Sequence, residues 1–470
     1  MNFDAARARD LRFRAAPMLA LLDAASCAIT VGLAVRSARR GGSLRRLSAS
    51  ASGLGSPLPR APEHGDCVYL DYQATTPVWP EVAEAAAPYL QLHWGNPSSG
   101  HAFGRPCAAA VTSARGAVAT LVRASPSEIL FTSCGSEADN HAIYGALAAE
   151  EARRRAGAKS KKLPHVVTSN IEHPAIEECI KVLEAEGRLR ATYVPCDGEG
   201  RVGADAVAAA VTKETILVTV MHSNNEVGAV QPVAAIAAAA RAASVAAGAP
   251  KNALLVHSDA AQSIGKLAID VAAEGVDLLT IVGHKFGAPK GVAALYVRSG
   301  VGAAGTFGKF VHGGGQEAGR RAGTECVVLQ VALGKAAEIA TAELPRTAAH
   351  MTAMRSLLLE LLTDGLGTEI VRVNGPADAA HRLPNTLSVG LVGVRSSELL
   401  ATLSESVAAS AGAACHTDHA AVSAVLRAMD VPHAQAVGTL RLSTGRHTTE
   451  AEVRRAAALI IAEAKRQLKL

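Results

Sequence analysis

Six short apolar runs punctuate the middle of this chain, each followed by polar residues. They read "EILFTS", "HVVTSN", "ILVTVMHS", "ALLVHSD", "DLLTIVGH" and "AALYVRS". Runs this short and this apolar are the signature of strands buried on both faces. Between them, "SEADNHAIYGALAAEEARRR", "HPAIEECIKVLEAEG" and "PVAAIAAAARAASVAAG" have helical length and periodicity. Strand and helix in turn specify an α/β fold with a mostly parallel sheet and crossover helices. Around residue 325 the pattern changes to a long helical region, roughly 326–365, and then to shorter strands such as "TLSVGL" and "TLRLSTG". The expected organisation is an N-terminal extension over 1–66, a large domain over 67–325 and a smaller C-terminal domain over 326–470.

The length of 470 residues suits more than one domain, and an aromatic content of only 3% is offset by abundant Ala, Val and Leu. The net charge of +5 is unevenly placed: residues 1–60 hold ten Arg and three Asp, +7 in all, which leaves −2 for the remainder. The near-neutral globular part gives no footprint for nucleic acid. The leader is rich in Arg, Ser and Ala and poor in acids, the composition of a transit peptide, so the expectation is a mitochondrion or plastid, and otherwise the cytoplasm. A secretory signal and a disordered tail are the alternatives. Its apolar stretch from Met18 to Val35 is broken by Asp23 and short for a membrane span, so no membrane partner is expected. The eight cysteines are scattered without a C-x-x-C pair, which fits a reducing compartment.

Open α/β sheets bind ligands beyond the carboxyl ends of their strands. After "ILFTS" come Gly135 and Ser136 at a helix start, where free amides and the helix dipole favour a phosphate. Other strands lead to Glu172 and His173, to Asn224, Asn225 and Glu226, to Asp259 and Gln262, and to His284 and Lys285. Singly, each has a bland reading as a cap, a turn or a solvated charge. Together they place an acid, a base, an amide, an amine and a phosphate cradle along one rim. That set suits pyridoxal 5'-phosphate (PLP): a lysine for the covalent link, an aspartate for the ring nitrogen and a helix N-terminus for the phosphate.

The motifs "YLDYQATTP", "GNPSSGHAFG", "FTSCGSEADN", "NIEHPAI", "MHSNNEVGAVQP", "HSDAAQSIGK", "VGHKFGAPKGVAALYV", "GGGQEAGRRAGT" and "RLSTGR" occur in this order from about residue 67 to the end. This text resembles the NifS-like cysteine desulfurases and selenocysteine lyases, relatives of the class V aminotransferases. The resemblance implies a fold-type I enzyme whose large domain has a mostly parallel seven-stranded sheet flanked by helices, with a smaller C-terminal α+β domain. It implies that Lys285 is the Schiff-base lysine and that Asp259 and Gln262 meet the ring nitrogen and phenolic oxygen. His173 would stack on the ring, and Asn225 would contact the ring oxygen or the substrate carboxylate. Gly135, Ser136 and His284 would hold the phosphate, and Arg441 would clamp the substrate carboxylate. Thr324 resembles the residue that reaches the phosphate of the other subunit, which implies a homodimer.

Cys415 in "SAGAACHTDHA" resembles the mobile-loop cysteine that collects the chalcogen atom, with small neighbours that permit travel. A metal site built from Cys415, His416, Asp418 and His419 is a competing reading, but the spacing is too tight for an ordinary tetrahedral zinc motif. The wording "GAACHTDH", and Val282 before "GHK", favour a lyase that decomposes L-selenocysteine to L-alanine and reduced selenium. The alternative is a cysteine desulfurase acting on L-cysteine and forming a persulfide on Cys415. Pro174 after His173 departs from the selenium pattern, and Ala288 departs from the Tyr-Gly common ahead of the Pro. A selenium or sulfur acceptor protein is the implied partner. A PLP-fold scaffold without turnover, or a transaminase, remains as a reading from another class.

Overall fold

The computed structural model describes residues 58–59, 64–157, 162–250, 253–301, 307–414 and 421–470. Nearly all of the arginine-rich leader, and the segment 415–420 with Cys415 and both loop histidines, lie outside the described residues. Fifteen short strands are found among the described residues. The first, β1 (Val68–Tyr69), precedes those of the main sheet: β2 (Ile129–Thr132), β3 (His165–Ser169), β4 (Arg190–Val194), β5 (Thr215–Thr219), β6 (Leu255–Asp259), β7 (Leu278–Val282) and β8 (Ala293–Val297). Their order is β2-β8-β7-β6-β5-β3-β4, a seven-stranded sheet in which β8 alone runs against its neighbours. All six expected apolar runs are strands of this sheet. The seventh, β4, is one of the two edge strands, and its sequence RATYV is only half buried, which is why no continuous apolar run marks it.

Both faces of the sheet are covered, as its sequence requires. Alternate residues of one strand point to opposite faces, so Phe131 of β2 and Ile281 of β7 join one core, while Leu130 and Leu278 join the other. The helix Gly104–Leu121 and the first half of the helix Val327–Leu366 cover the first face. The helices Gly135–Arg155 and Pro174–Ala185 cover the second. Val327–Leu366 starts one residue after the sequence boundary at 326 and continues through Pro345. Its distal half packs Leu358, Leu362 and Leu366 into a third core with Val68 and Leu70.

That third core belongs to a second, mixed α and β unit. Strands β9 (Val371–Val373), β10 (Thr386–Leu391), β12 (Ser410–Ala411) and β15 (Thr439–Ser443) form a four-stranded sheet in the order β12-β15-β10-β9. The helix Glu450–Leu468, started by a Thr449–Glu452 capping box, buries Val453, Ala457 and Ile460 against it. The N-terminal strand β1 pairs in parallel with β11 (Val407–Ala408), so the start of the described chain is stitched to this second unit. Beyond β12, β13 (Ala413–Ala414) and β14 (Ala421–Val422) pair antiparallel, a hairpin ladder with residues 415–420 between its arms. No described helix is long and apolar enough to cross a membrane.

Candidate functional site

Because β2, β3, β5, β6 and β7 run in parallel, their carboxyl ends open on one rim, and the expected residues stand there in turn. Asp259 is the last residue of β6 and is buried, with Oδ1 accepting from the Ala261 N–H at 2.8 Å. Burial pushes its carboxyl above the usual range, while that hydrogen bond, His173 and Lys285 pull the other way. Lys285 closes a single 3-10 turn, Gly283–Lys285, directly after β7. Its ammonium donates to the carbonyls of Gln73 at 2.6 Å and Ala74 at 3.0 Å. Burial, and then the Arg441 charge, lower its pKa from 10.5 to about 8, so a neutral amine is accessible near physiological pH.

The same Gln73 carbonyl accepts from Gln262 Nε2 at 3.1 Å, which ties Gln262 to the lysine. His284 is anchored by Thr75 Oγ1 at 3.1 Å, and burial holds its imidazole down to about 4. Just past the lysine, Gly287 turns the chain at φ +89°, where a Cβ would collide with the Trp79 ring at 2.2 Å. Ala288 is buried against that turn, its N–H on the Gly283 carbonyl.

His173 caps the helix Pro174–Ala185, its Nδ1 accepting from the Ala175 N–H at 3.2 Å. That bond leaves the proton of the neutral ring on Nε2. Although part of the residue is open to solvent, desolvation of the ring lowers its pKa, Lys285 adds to this, and Asp259 opposes it. Pro174 sits at the first helical position, where its missing N–H costs nothing.

The helix Gly135–Arg155 points its N-terminus at the rim, with Ser136 exposed there. Gly135 is required for close approach: a Cβ would lie 2.7 Å from Val282 Cγ2. Val282 is therefore the packing partner of the helix start, which gives this residue a structural reason for being branched and apolar. Glu137, one residue beyond Ser136, binds Arg321 at 2.8 Å and the Ser133 N–H at 2.8 Å. Against desolvation, these bonds hold its carboxyl below the ordinary range. The pair fixes the segment carrying Thr324, which is exposed and lines a cavity of about 80 Å³ with Thr132, Ser133 and Arg321. Thr324 thus shares a cavity with the segment that leads into the helix start.

Arg441, from β15, completes the rim. Its Nη1 donates to the Asn225 carbonyl at 3.3 Å, and its Nη2 donates to Asp71 Oδ1 at 3.0 Å and Ser410 Oγ at 2.9 Å. Its Nε is buried without a partner. Ser410 begins the approach to the hairpin that carries residue 415, and Ser423, just after it, donates to half-buried Glu226. Both roots of the Cys415 segment are therefore fastened to polar groups of the rim. Asp71, Ser410 and the carbonyls of Gln73 and Ala74 escape sequence reasoning, since backbone acceptors and pairs 370 residues apart leave no local pattern.

These residues fit PLP on their own geometry. Gln262 Oε1 is a buried acceptor without a partner, Asp259 is a buried carboxylate at the strand end, and a glycine-started helix faces the lysine turn. Among the described residues no group of three or more His, Cys, Asp or Glu is arranged to hold a metal ion, and the Cys415–His419 cluster lies outside them. The fold and rim define a fold-type I enzyme whose cofactor is PLP.

Comparison with known proteins extends this. The family model for aminotransferase class-V matches residues 68–456, and the chain belongs to that family, with NifS-like cysteine desulfurase homologues. It is 41% identical over 389 residues to a cysteine desulfurase of Trichormus azollae, covering 83% of this chain and 90% of that one. A solved NifS-like protein superposes with a TM-score of 0.74 at 34% identity, over 86% of this chain and all of the other (100%). SspA in complex with cysteine superposes with a TM-score of 0.66 at 32% identity, over 81% and 99%.

Proposed function

We propose that the protein is a cysteine desulfurase that takes sulfur from L-cysteine, leaves L-alanine, and carries the sulfur as a persulfide on Cys415. The observation that carries this reading is the convergence, on one rim, of the Lys285 amine with its lowered pKa and the Arg441 clamp at the root of the Cys415 hairpin. The names of the relatives, and the bound cysteine of the SspA structure, support sulfur over the selenium reading favoured by the loop text.

Lys285 would tether PLP, Asp259 would hold its ring nitrogen, Gln262 and Asn225 would serve its ring oxygen, and Gly135, Ser136 and His284 would serve its phosphate. Once bound, the cofactor supplies an electron sink for a pair of electrons at the α-carbon of an amino acid. Arg441 receives the substrate carboxylate and so fixes which bond faces the base. Lys285, whose neutral form desolvation makes accessible, takes the α-proton at Nζ. His173, its Nδ1 held by the Ala175 N–H, would stack on the cofactor ring. The Cys415 thiolate attacks the substrate sulfur, the C–S bond breaks with its electron pair left on the β-carbon, the β-carbon takes up one proton, and the α-carbon regains the proton that Lys285 removed, giving alanine. The balance is L-cysteine plus enzyme thiol giving L-alanine plus enzyme persulfide, with no external oxidant or reductant.

The reading includes a homodimer in which the exposed Thr324 of each protomer serves the other's phosphate site, and an acceptor protein that removes the sulfur. A second reading, selenocysteine lyase, is favoured by "GAACHTDH" alone, because Val282 has its own packing role. Purified enzyme given L-cysteine or L-selenocysteine separately tests both. The desulfurase reading expects alanine from L-cysteine, and release from L-selenocysteine only would replace it with the selenium reading.

A further inference from the structure

A carboxylate clamp is most effective when its guanidinium is pre-oriented and its charge is not already spent. Arg441 meets the first condition and not the second. It sits opposite Ser410 in the β12/β15 ladder, and two residues further along β15 Ser443 bridges to Asp71. Asp71 and Ser410 are therefore delivered to Arg441 by backbone pairing, and Ser410 also donates to Asp71 Oδ1 at 3.0 Å. Tyr69 secures the backbone at Asp71, its hydroxyl donating to the Asp71 carbonyl at 3.1 Å and the Thr75 carbonyl at 2.9 Å. The side chains of Arg441 and Asp71 are 16% and 19% exposed, shielded enough for the pair to matter and open enough for a ligand to enter. Arg441 Nε meanwhile remains a buried donor without a partner.

Resting on the assignment of Arg441 as the substrate clamp, we propose that Asp71 is a resident carboxylate which holds the Arg441 guanidinium in register and competes with the carboxylate of the incoming amino acid. Asp71 is thus a positioning and affinity-setting residue rather than a catalytic one. Its charge reaches further than the clamp. The charged and titratable groups facing Lys285 are Arg441, Asp259, Asp71, His173, His284 and Lys266, and among them Asp71 and Asp259 favour the protonated amine while Arg441 opposes it. Asp71 therefore couples substrate affinity to the proton affinity of the lysine.

The test uses PLP-loaded full-length enzyme and L-alanine, a ligand with the substrate's carboxylate and no chalcogen, titrated by visible absorbance. Asp71→Asn keeps the acceptor oxygen and removes the charge. A part-exposed ion pair of this kind predicts L-alanine binding tighter by about three- to five-fold, with KM for L-cysteine lowered and kcat little changed. The pH midpoint of the visible band should fall by about half a unit, because an anion beside the protonated nitrogen is gone. Asp71→Glu should restore both. Ser410→Ala, which removes a partner of Arg441 but no charge, should tighten L-alanine slightly and leave the midpoint in place. Unchanged or weaker L-alanine binding with an unmoved midpoint in a folded Asp71→Asn enzyme overturns the inference. If L-alanine tightens and the midpoint falls while L-cysteine is not turned over, the inference holds and the desulfurase reading fails.

Discussion

The depressed pKa of Lys285 has a consequence for folding that needs no turnover to observe. In the cofactor-free protein, burial and Arg441 bring the folded value to about 8 against 10.5 for an ordinary lysine. The folded state therefore binds this proton less readily than the unfolded chain. The penalty is fully present below pH 8 and is relieved as pH rises from 8 through 10.5. The shift of about 2.5 units is worth about 3 kcal/mol at pH 7 and about 1 kcal/mol at pH 10. Because the side chain is part-exposed, a recovery of about 1.5 to 2 kcal/mol across that interval is the appropriate expectation. Urea unfolding of cofactor-free wild type and Lys285→Met at pH 7, 8.5 and 10 isolates it, since other titrations cancel in the difference. Wild type should gain on the variant with rising pH, by that amount. A difference independent of pH would refute the claim that Lys285 is held in a desolvated, electropositive position.

Other expectations follow from the same contacts. Gly135→Ala drives a Cβ to 2.7 Å from Val282 and should cost about 1 to 3 kcal/mol in thermal unfolding, with much of the loss recovered in the Gly135→Ala, Val282→Ala double variant. Glu172 is buried, accepts from the Met221 N–H, and is pushed by burial from 4.5 to about 8. Its proton stabilises the fold below pH 4.5 and that contribution is lost as pH rises to 8, so Glu172→Gln should flatten the stability profile over this window, measured by melting temperature against pH. Arg441→Lys loses the forked geometry and should raise KM for the amino acid at least about ten-fold while leaving the visible band of bound PLP intact. Cys415→Ala should retain PLP and lose sulfur transfer, read as alanine formed in the presence of an acceptor thiol.

What was legible in the sequence follows from where the physics is local. A strand buried on both faces must be apolar throughout, so six strands of the main sheet were readable, while half-buried β4, with Arg190 and Tyr193, was not. Residues placed at strand ends by chain order, such as Asp259, Lys285 and His173, were legible because the parallel topology puts those ends on one rim. The resemblance then gave each a role. Arg441 was legible only as a motif, since its partners Asp71 and Ser410 come from chain segments 370 and 31 residues away. Val282 is a different case: a residue read from the text as a marker of selenium chemistry also has a steric task against Gly135. Nor does any local pattern foretell that Glu137 and Arg321, 184 residues apart, join the helix starting at Gly135 to the Thr324 segment.

The most direct test of the account is a peptide mass map of the PLP-loaded enzyme after incubation with L-cysteine and no added thiol. The account predicts one additional sulfur atom on the peptide bearing Cys415 in wild type, and none there in Lys285→Ala. An unmodified Cys415 peptide while wild type forms alanine, or equal loading in the Lys285 variant, would contradict it.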